Sequence, residues 1–190
     1  MEQTWEVRLS GSGGQGLILA GIILAEAGIL EGKNVVQTQS YGPAARGGAS
    51  KAEVIISDQE IDYPKVETAD VLLALNQESC TKFMGSIKSD GLAIIDSSLV
   101  EDVPASTCQI YPMPITKLAR EEIGRELVAN IVALGALVGL TGVVSIQTVT
   151  KAVMARVPKG TEELNSKALQ LGFRLAEEAR AVKEQVSKIV

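Results

Sequence analysis

Histidine is absent from this 190-residue chain. That removes imidazole metal ligands, His-based nucleophile triads and imidazole acid-base catalysis together. Cysteine is nearly as scarce, with Cys80 and Cys108 the whole supply. Two thiols are too few for the four thiolates an iron-sulfur cluster ordinarily takes. Each reads as a small buried side chain, with a reactive thiol as the open alternative. A clustered positive charge is also missing: the net charge is −5 and no stretch gathers Lys and Arg into a stripe, so nucleic acid is not an expected partner. No GxxxxGK[ST] loop occurs, because the glycines at 11–16 are followed by Leu17 and Ile18, which argues against kinase or ATPase chemistry. The start Met-Glu-Gln-Thr-Trp-Glu has neither the basic opening nor the apolar core of a secretory signal, so a cytoplasmic location without disulfides is expected. One long apolar run, Leu127 to Val144, is broken by Asn130 and Thr141 and carries Gly135, Gly139 and Gly142 without aromatic anchors. It reads as a buried helix that lets another backbone come close, within the chain or from a second subunit, and not as a membrane span.

What is present begins with Gly11-Ser12-Gly13-Gly14-Gln15-Gly16. The segment sits between a strand expected over 5–10 and a helix expected over 17–30. In such a setting glycines admit close backbone approach, and the first N–H groups of the helix are unpaired at the positive end of its dipole. The turn is therefore a candidate for contact with a phosphate-bearing ligand. A dinucleotide site would also need an acid at the end of the second strand. That strand, Asn34 to Gln39, ends without one, and Glu31 lies before Gly32 at a helix end. Three readings stay open: an NAD or FAD site, a phosphate-contacting turn of another kind, and a purely structural turn.

Along the rest of the chain, periodicity predicts an α/β fold. It is expected to be a three-layer α/β/α arrangement with a mostly parallel, possibly mixed central sheet and a helical C-terminal region, residues 1–190 forming one domain. Residues 17–28 are apolar nearly all round, as suits a helix covered on both sides. Strands are expected at 50–57, 71–75, 92–96 and 109–111, with a polar helix over 77–87 and helix from Thr116 onward. In the last helix Thr161 offers a cap, and Leu164, Ala168, Leu171, Leu175, Ala179, Val182, Val186 and Ile189 form a packing stripe. It would serve the core or a subunit contact.

A second unusual segment, Ser40 to Ala49, follows strand two at the sheet edge where ligands bind in open α/β folds. Arg46 brings a planar, permanently charged fork beside Gly47 and Gly48, suited to a phosphate or carboxylate. The structural alternative is a loop shaped by glycine and proline with Arg46 paired locally.

Together these segments resemble the gamma subunit, or gamma domain, of 2-oxoacid:ferredoxin oxidoreductases over nearly the whole chain. The matching pieces are Gly11 to Gly16, Ser40-Tyr41-Gly42-Pro43 with Arg46-Gly47-Gly48, and Ala52-Glu53-Val54 with Ser57-Asp58. They continue in Ile61-Asp62-Tyr63-Pro64, Asn130 with Gly135, and Asn165 with Ala168 and Gly172. The wording is most similar to the 2-oxoglutarate type, with the 2-ketoisovalerate type next. Pyruvate and indolepyruvate members of the family are further alternatives. One departure is Ala44, where many relatives carry an acid.

The resemblance implies a subunit of an enzyme that oxidatively decarboxylates a 2-oxoacid, forms an acyl-coenzyme A and passes electrons to ferredoxin. It implies no catalytic residue and no cofactor or metal held by this chain alone. Thiamine diphosphate, magnesium and iron-sulfur clusters are expected on partner alpha, beta and delta subunits, and ferredoxin docks through the complex. Coenzyme A is the ligand this chain would help to receive. Gly13, Gly14, Gln15 and Gly16 would contribute backbone contacts, with Tyr41, Arg46, Gly47 and Gly48 from the second segment. A stand-alone dinucleotide enzyme and a purely structural assembly module are the competing readings.

Overall fold

The computed structural model describes residues 3–40 and 49–187. Six strands form one mixed sheet in the order β2-β3-β1-β4-β5-β6. They are β1 (Thr4–Ser12), β2 (Asn34–Ser40), β3 (Ala49–Ser57), β4 (Ala69–Ala74), β5 (Ile87–Asp96) and β6 (Gln109–Met113). β1, β4, β5 and β6 run parallel, whereas β3 is antiparallel to both β1 and β2. The helices are α1 (Leu17–Leu30), α2 (Gln77–Phe83), α3 (Ile115–Glu122), α4 (Ala129–Thr141), α5 (Ile146–Arg156) and α6 (Glu162–Ser187). The three-layer α/β expectation and the helical C-terminal region are both present.

Alternation along the strands sorts side chains to two unequal faces. Val7, Leu9, Val54, Ile56, Val71, Leu73 and Ile94 pack into the large core under α1, α4, α5 and α6. Leu72, Ala74, Ala93 and Ile95 face the other way, into a smaller core with Cys80 and Met84. The two cysteines, remote in sequence, therefore share one apolar cluster. Burial pushes the Cys80 thiol up, with Asp102 and Cys108 adding to the effect. A thiol held protonated is a poor nucleophile, which favours the buried small-side-chain reading.

Several boundaries differ from expectation for local reasons. The polar helix ends at Phe83, passes through a single 3-10 turn at Met84–Ser86, and Ile87 already opens β5. Pro112 lies inside β6, not beyond it; as an edge strand β6 has one side free of ladder bonds, where proline is tolerated. The stretch after Thr116 is several helices, interrupted at Gly124, Gly142 and Gly160, each with positive φ. The α6 stripe is buried at Ala168, Leu171 and Leu175 and half-buried at Ala179; Val182 is exposed, while Lys183 still reaches Gln109 and Tyr111 of β6. The side chains of Val186 and Ile189 lie outside those described.

The small-residue pattern of α4 is filled within the chain. A Cβ on Gly135 would sit 2.5 Å from the Leu169 carbonyl, and one on Gly172 would sit 2.1 Å from the Val132 carbonyl. Two backbones therefore touch along α4 and α6, and neither can yield as a side chain could. Among the described residues no helix is long and apolar enough to cross a membrane.

One buried ion pair went unread in the sequence. Arg8, on the α2 face of β1, donates through Nε to Glu53 at 2.7 Å, through Nη2 to the Val66 carbonyl and through Nη1 to Ser86. Its guanidinium also lies over the Phe83 ring at 5.1 Å. Cross-strand register makes the pair, since Arg8 stands opposite Glu53 in the β1/β3 ladder.

Two substitutions test this packing. Gly172→Ala should destabilise the fold by about 3 kcal/mol, the upper part of the usual overpacking range. Glu53→Leu, which strands a buried guanidinium, should cost about 3 to 5 kcal/mol. Urea midpoints of the purified chain read both, and unchanged midpoints would contradict the seam and the pair.

Candidate functional site

The glycine segment lies at the carboxyl edge of the parallel strands, where the chain leaves β1 for α1. α1 covers one face of the sheet, whereas the helix after the neighbouring parallel strand β4, α2, covers the other. Helices departing to opposite faces open a crevice between adjacent strand ends, the usual ligand position in open α/β sheets.

The turn is tightly specified. Gln15 N donates to the Ser12 carbonyl at 3.2 Å, closing four residues with Gly14 at φ 94° in third position, as a type II turn requires. Gly16 follows at φ 72° and caps α1, which has no side-chain cap and no acid in its first turn. The amide groups of Leu17, Ile18 and Leu19 precede the first helical bond, which runs from Ala20 N to the Gly16 carbonyl. Nothing lies within 4 Å of a Cβ built on Gly13 or Gly14. The backbone at Gly13 and Gly14 is thus open, and it leads into the positively polarised start of α1.

Two amides hold this stretch in place. Gln15 Oε1 accepts from Ser12 N at 2.6 Å while its Nε2 donates to the Leu75 carbonyl at 3.1 Å, tying the turn to the end of β4. Asn130, buried at the start of α4, donates from Nδ2 to the Gly16 carbonyl at 3.1 Å and accepts through Oδ1 from Ile131 N. Gln15 thus acts as a clamp, and the backbone at Gly13 and Gly14 is what faces outward. Asn76 adds a third tie, donating to Ser12 Oγ at 2.7 Å and capping α2 through Ser79 N.

Tyr41, Arg46, Gly47 and Gly48 lie outside the described residues. The positions that flank them do not. β2 ends at Ser40, and the chain re-enters at Ala49, which pairs with Ser12 in the β1/β3 ladder. Ser40 and Ala49 are therefore both held at the same sheet edge as the glycine turn.

Two residues on the opposite side of the turn were not singled out as site residues from sequence. A cavity of about 350 Å3 opens beside Gly14 and Gly16, and Arg125, Asn130 and Asn165 line it with several apolar side chains. A smaller cavity of about 180 Å3 adjoins it and includes Gly14, Gln15 and Thr116. Thr116 is fixed by Asp96, a fully buried carboxylate at the end of β5 that accepts from Thr116 N and Oγ1 and from Ser98 N and Oγ. Arg125 belongs to no motif, and Asn165 stands in the resemblance without a role; the packing of α6 on α4 and of α4 on α1 brings them to the turn.

The dinucleotide reading meets a geometric obstacle. β3 is inserted between β1 and β2, so the end of β2 stands two strand spacings, roughly 10 Å, from the turn strand. Glu31 is occupied at the far end of α1, about 20 Å along a 14-residue helix. There its Oε1 accepts from Ser145 N at 2.6 Å. Partial burial opposes its charge, but the Ser145 backbone bond and the Ser145 and Thr148 hydroxyls hold the carboxyl below its usual range. Thr161 also departs from expectation: its hydroxyl donates to the Pro158 carbonyl and accepts from Asn165 Nδ2. Among the described residues no cluster of Cys, Asp and Glu could hold a metal ion.

The family profile described as Pyruvate ferredoxin/flavodoxin oxidoreductase matches residues 6–175. The 2-oxoglutarate synthase subunit KorC of Methanocaldococcus jannaschii is 51% identical over 91% of this chain and 94% of its own length. Among solved structures, the keto/oxoacid ferredoxin oxidoreductase gamma subunit from Geobacter sulfurreducens PCA is 53% identical, with a TM-score of 0.84 over 92% of this chain and 99% of that one. A 2-oxoglutarate:ferredoxin oxidoreductase from Magnetococcus marinus, with 2-oxoglutarate, coenzyme A and succinyl-CoA bound, has a TM-score of 0.82. It is 24% identical over 93% of this chain and 31% of that one, a likeness of fold.

The conformational demands of the turn give a paired test. Gly16→Ala should lose about 1 to 2 kcal/mol from the left-handed backbone alone, with a further loss because its Cβ would lie 2.6 Å from Asn130 Nδ2. Gly13→Ala, at a position with open space and no positive φ, should stay within about 1 kcal/mol of the parent or gain slightly. Equal losses in denaturant melts would contradict the described turn.

Proposed function

The chain belongs to the pyruvate ferredoxin/flavodoxin oxidoreductase family, and from this we propose that it is the gamma subunit of a 2-oxoglutarate:ferredoxin oxidoreductase. The complex would convert 2-oxoglutarate and coenzyme A to succinyl-coenzyme A and carbon dioxide, reducing ferredoxin with the two electrons released. The observation that carries this reading is the 51% identity to a 2-oxoglutarate synthase subunit along nearly the full length of both chains.

The chain's chemistry supports a supporting role within such a complex. It has no histidine, and its cysteines are two buried thiols in one apolar cluster. We assign thiamine diphosphate, magnesium and the iron-sulfur clusters to alpha, beta and delta partners, and the complex to the cytoplasm. Residues 1–190 are read as one domain.

This chain's own contribution is to receive coenzyme A. The reaction needs a thiol carrier with several phosphates, and the turn offers open backbone at Gly13 and Gly14 leading to a helix start at Leu17 with no side-chain cap. Backbone donors at a helix N-terminus suit such an anion without further charge. Arg46, with Tyr41, Gly47 and Gly48, contributes to the same ligand in this reading.

The chain purified alone should oxidise no 2-oxoacid. Mixed with its partners it should restore ferredoxin reduction, fastest with 2-oxoglutarate in a panel containing pyruvate, 2-ketoisovalerate and indolepyruvate. Turnover by the isolated chain, or preference for another oxoacid, would contradict the proposal. Within the complex, Arg46→Ala should raise the KM for coenzyme A about tenfold or more, as loss of a charge-assisted contact does. An unchanged KM would return the arginine segment to a purely structural role.

A further inference from the structure

Four side-chain amides surround the glycine turn, and Asn76 is bonded at both ends, to Ser12 and Ser79; the partners of the other three fix which end of each is nitrogen. Backbone N–H groups can only donate and carbonyls can only accept. Gln15 and Asn130 each bond at both ends within the protein. Asn165 differs. Its Nδ2 donates to the Thr161 carbonyl at 2.9 Å and to Thr161 Oγ1 at 3.0 Å, the hydroxyl having given its own proton to the Pro158 carbonyl. The NH2 group therefore faces Thr161, and Oδ1 has no hydrogen-bond partner among the described residues.

Asn165 is only 6% exposed, yet no fully buried side-chain polar atom of the described residues lacks a partner. Its acceptor must open somewhere, and the opening Asn165 lines is the cavity of about 350 Å3 beside Gly14 and Gly16. The walls include Leu19, Ile131 and Leu164. At the rim stands Arg125, exposed and without an acid partner among the described residues. The volume falls within the range of small-molecule sites, and apolar walls with a few convergent polar groups are their usual character.

We propose that this cavity is a ligand subsite for a neutral N–H donor carried on an apolar frame and joined to a phosphate, with Asn165 Oδ1 receiving the donor and Arg125 the phosphate. A carboxylate ligand group would meet the lone pairs of Oδ1 and be refused, whereas an amide or an aromatic amine would be accepted. The inference rests on the reading that coenzyme A meets the glycine turn. Two portions of that molecule carry the required chemistry: the adenine amino group and the amides of the pantetheine arm.

The test uses the assembled complex with Arg125→Gln, Asn165→Leu and Gly13→Asp, each compared with the parent. The KM for coenzyme A is measured, with inhibition constants for adenosine bisphosphate and for pantetheine. Arg125→Gln and Asn165→Leu should each raise the KM roughly tenfold, the size of one charged or well-buried hydrogen bond, with kcat at saturating coenzyme A retained. Asn165→Leu should also weaken one probe: adenosine bisphosphate if the adenine end is seated there, pantetheine if the arm is. Either result supports the subsite.

Gly13→Asp places a carboxylate where the turn would hold phosphate, in open space, and separates two kinds of failure. If it raises the KM while the other two variants leave KM and both probes within twofold, coenzyme A meets the turn and this subsite is refuted. If all three leave them unchanged, both readings fall. Should Asn165→Leu fail to assemble, Arg125→Gln decides the matter, because its guanidinium has no ion pair to lose among the described residues.

Discussion

Asn130 reaches from the start of α4 to hold the carbonyl of Gly16, the residue that caps α1. This contact makes the geometry of a surface turn depend on the packing of helices far along the chain. α4 is in turn locked to α6 by backbone contact at Gly135 and Gly172. On the other side Gln15 fastens the turn to the end of β4. The uncapped start of α1 and the open backbone at Gly13 and Gly14 are thus presented from a fixed frame, and a ligand would find its donors already oriented. Pre-orientation of this kind lowers the ordering cost of binding.

Much of the fold could be read along the chain because its cause is local. The strand, glycine turn and apolar helix at 4–30 follow from periodicity and glycine placement, and so does the α6 stripe as far as Leu175. What could not be read depends on register between distant segments. That β3 enters between β1 and β2 is a pairing choice, and it brings Arg8 opposite Glu53 and separates β2 from the turn. Cys80 and Cys108 meet because β4, α2 and the segment before β6 share one face.

The site shows the same division. Gly13 and Gly14 have open space, and the inward clamp made by the Gln15 side chain was not legible, since it depends on the Leu75 carbonyl and Ser12 N–H that fold against it. Arg125 and Asn165 have no spacing relation to the turn and converge on it through helix docking. Asn130 and Asn165 stood in the family resemblance without a role. The structure gives Asn130 a bond to Gly16 and gives Asn165 a bond to Thr161.

The most direct test of a turn built to receive coenzyme A is hydrogen-deuterium exchange on the assembled complex, with and without saturating coenzyme A. The amides of residues 13–19 should become protected when the ligand is added, while those on the distal half of α1 stay unchanged. Saturation of the complex by coenzyme A with no change in exchange at residues 13–19 would contradict the account.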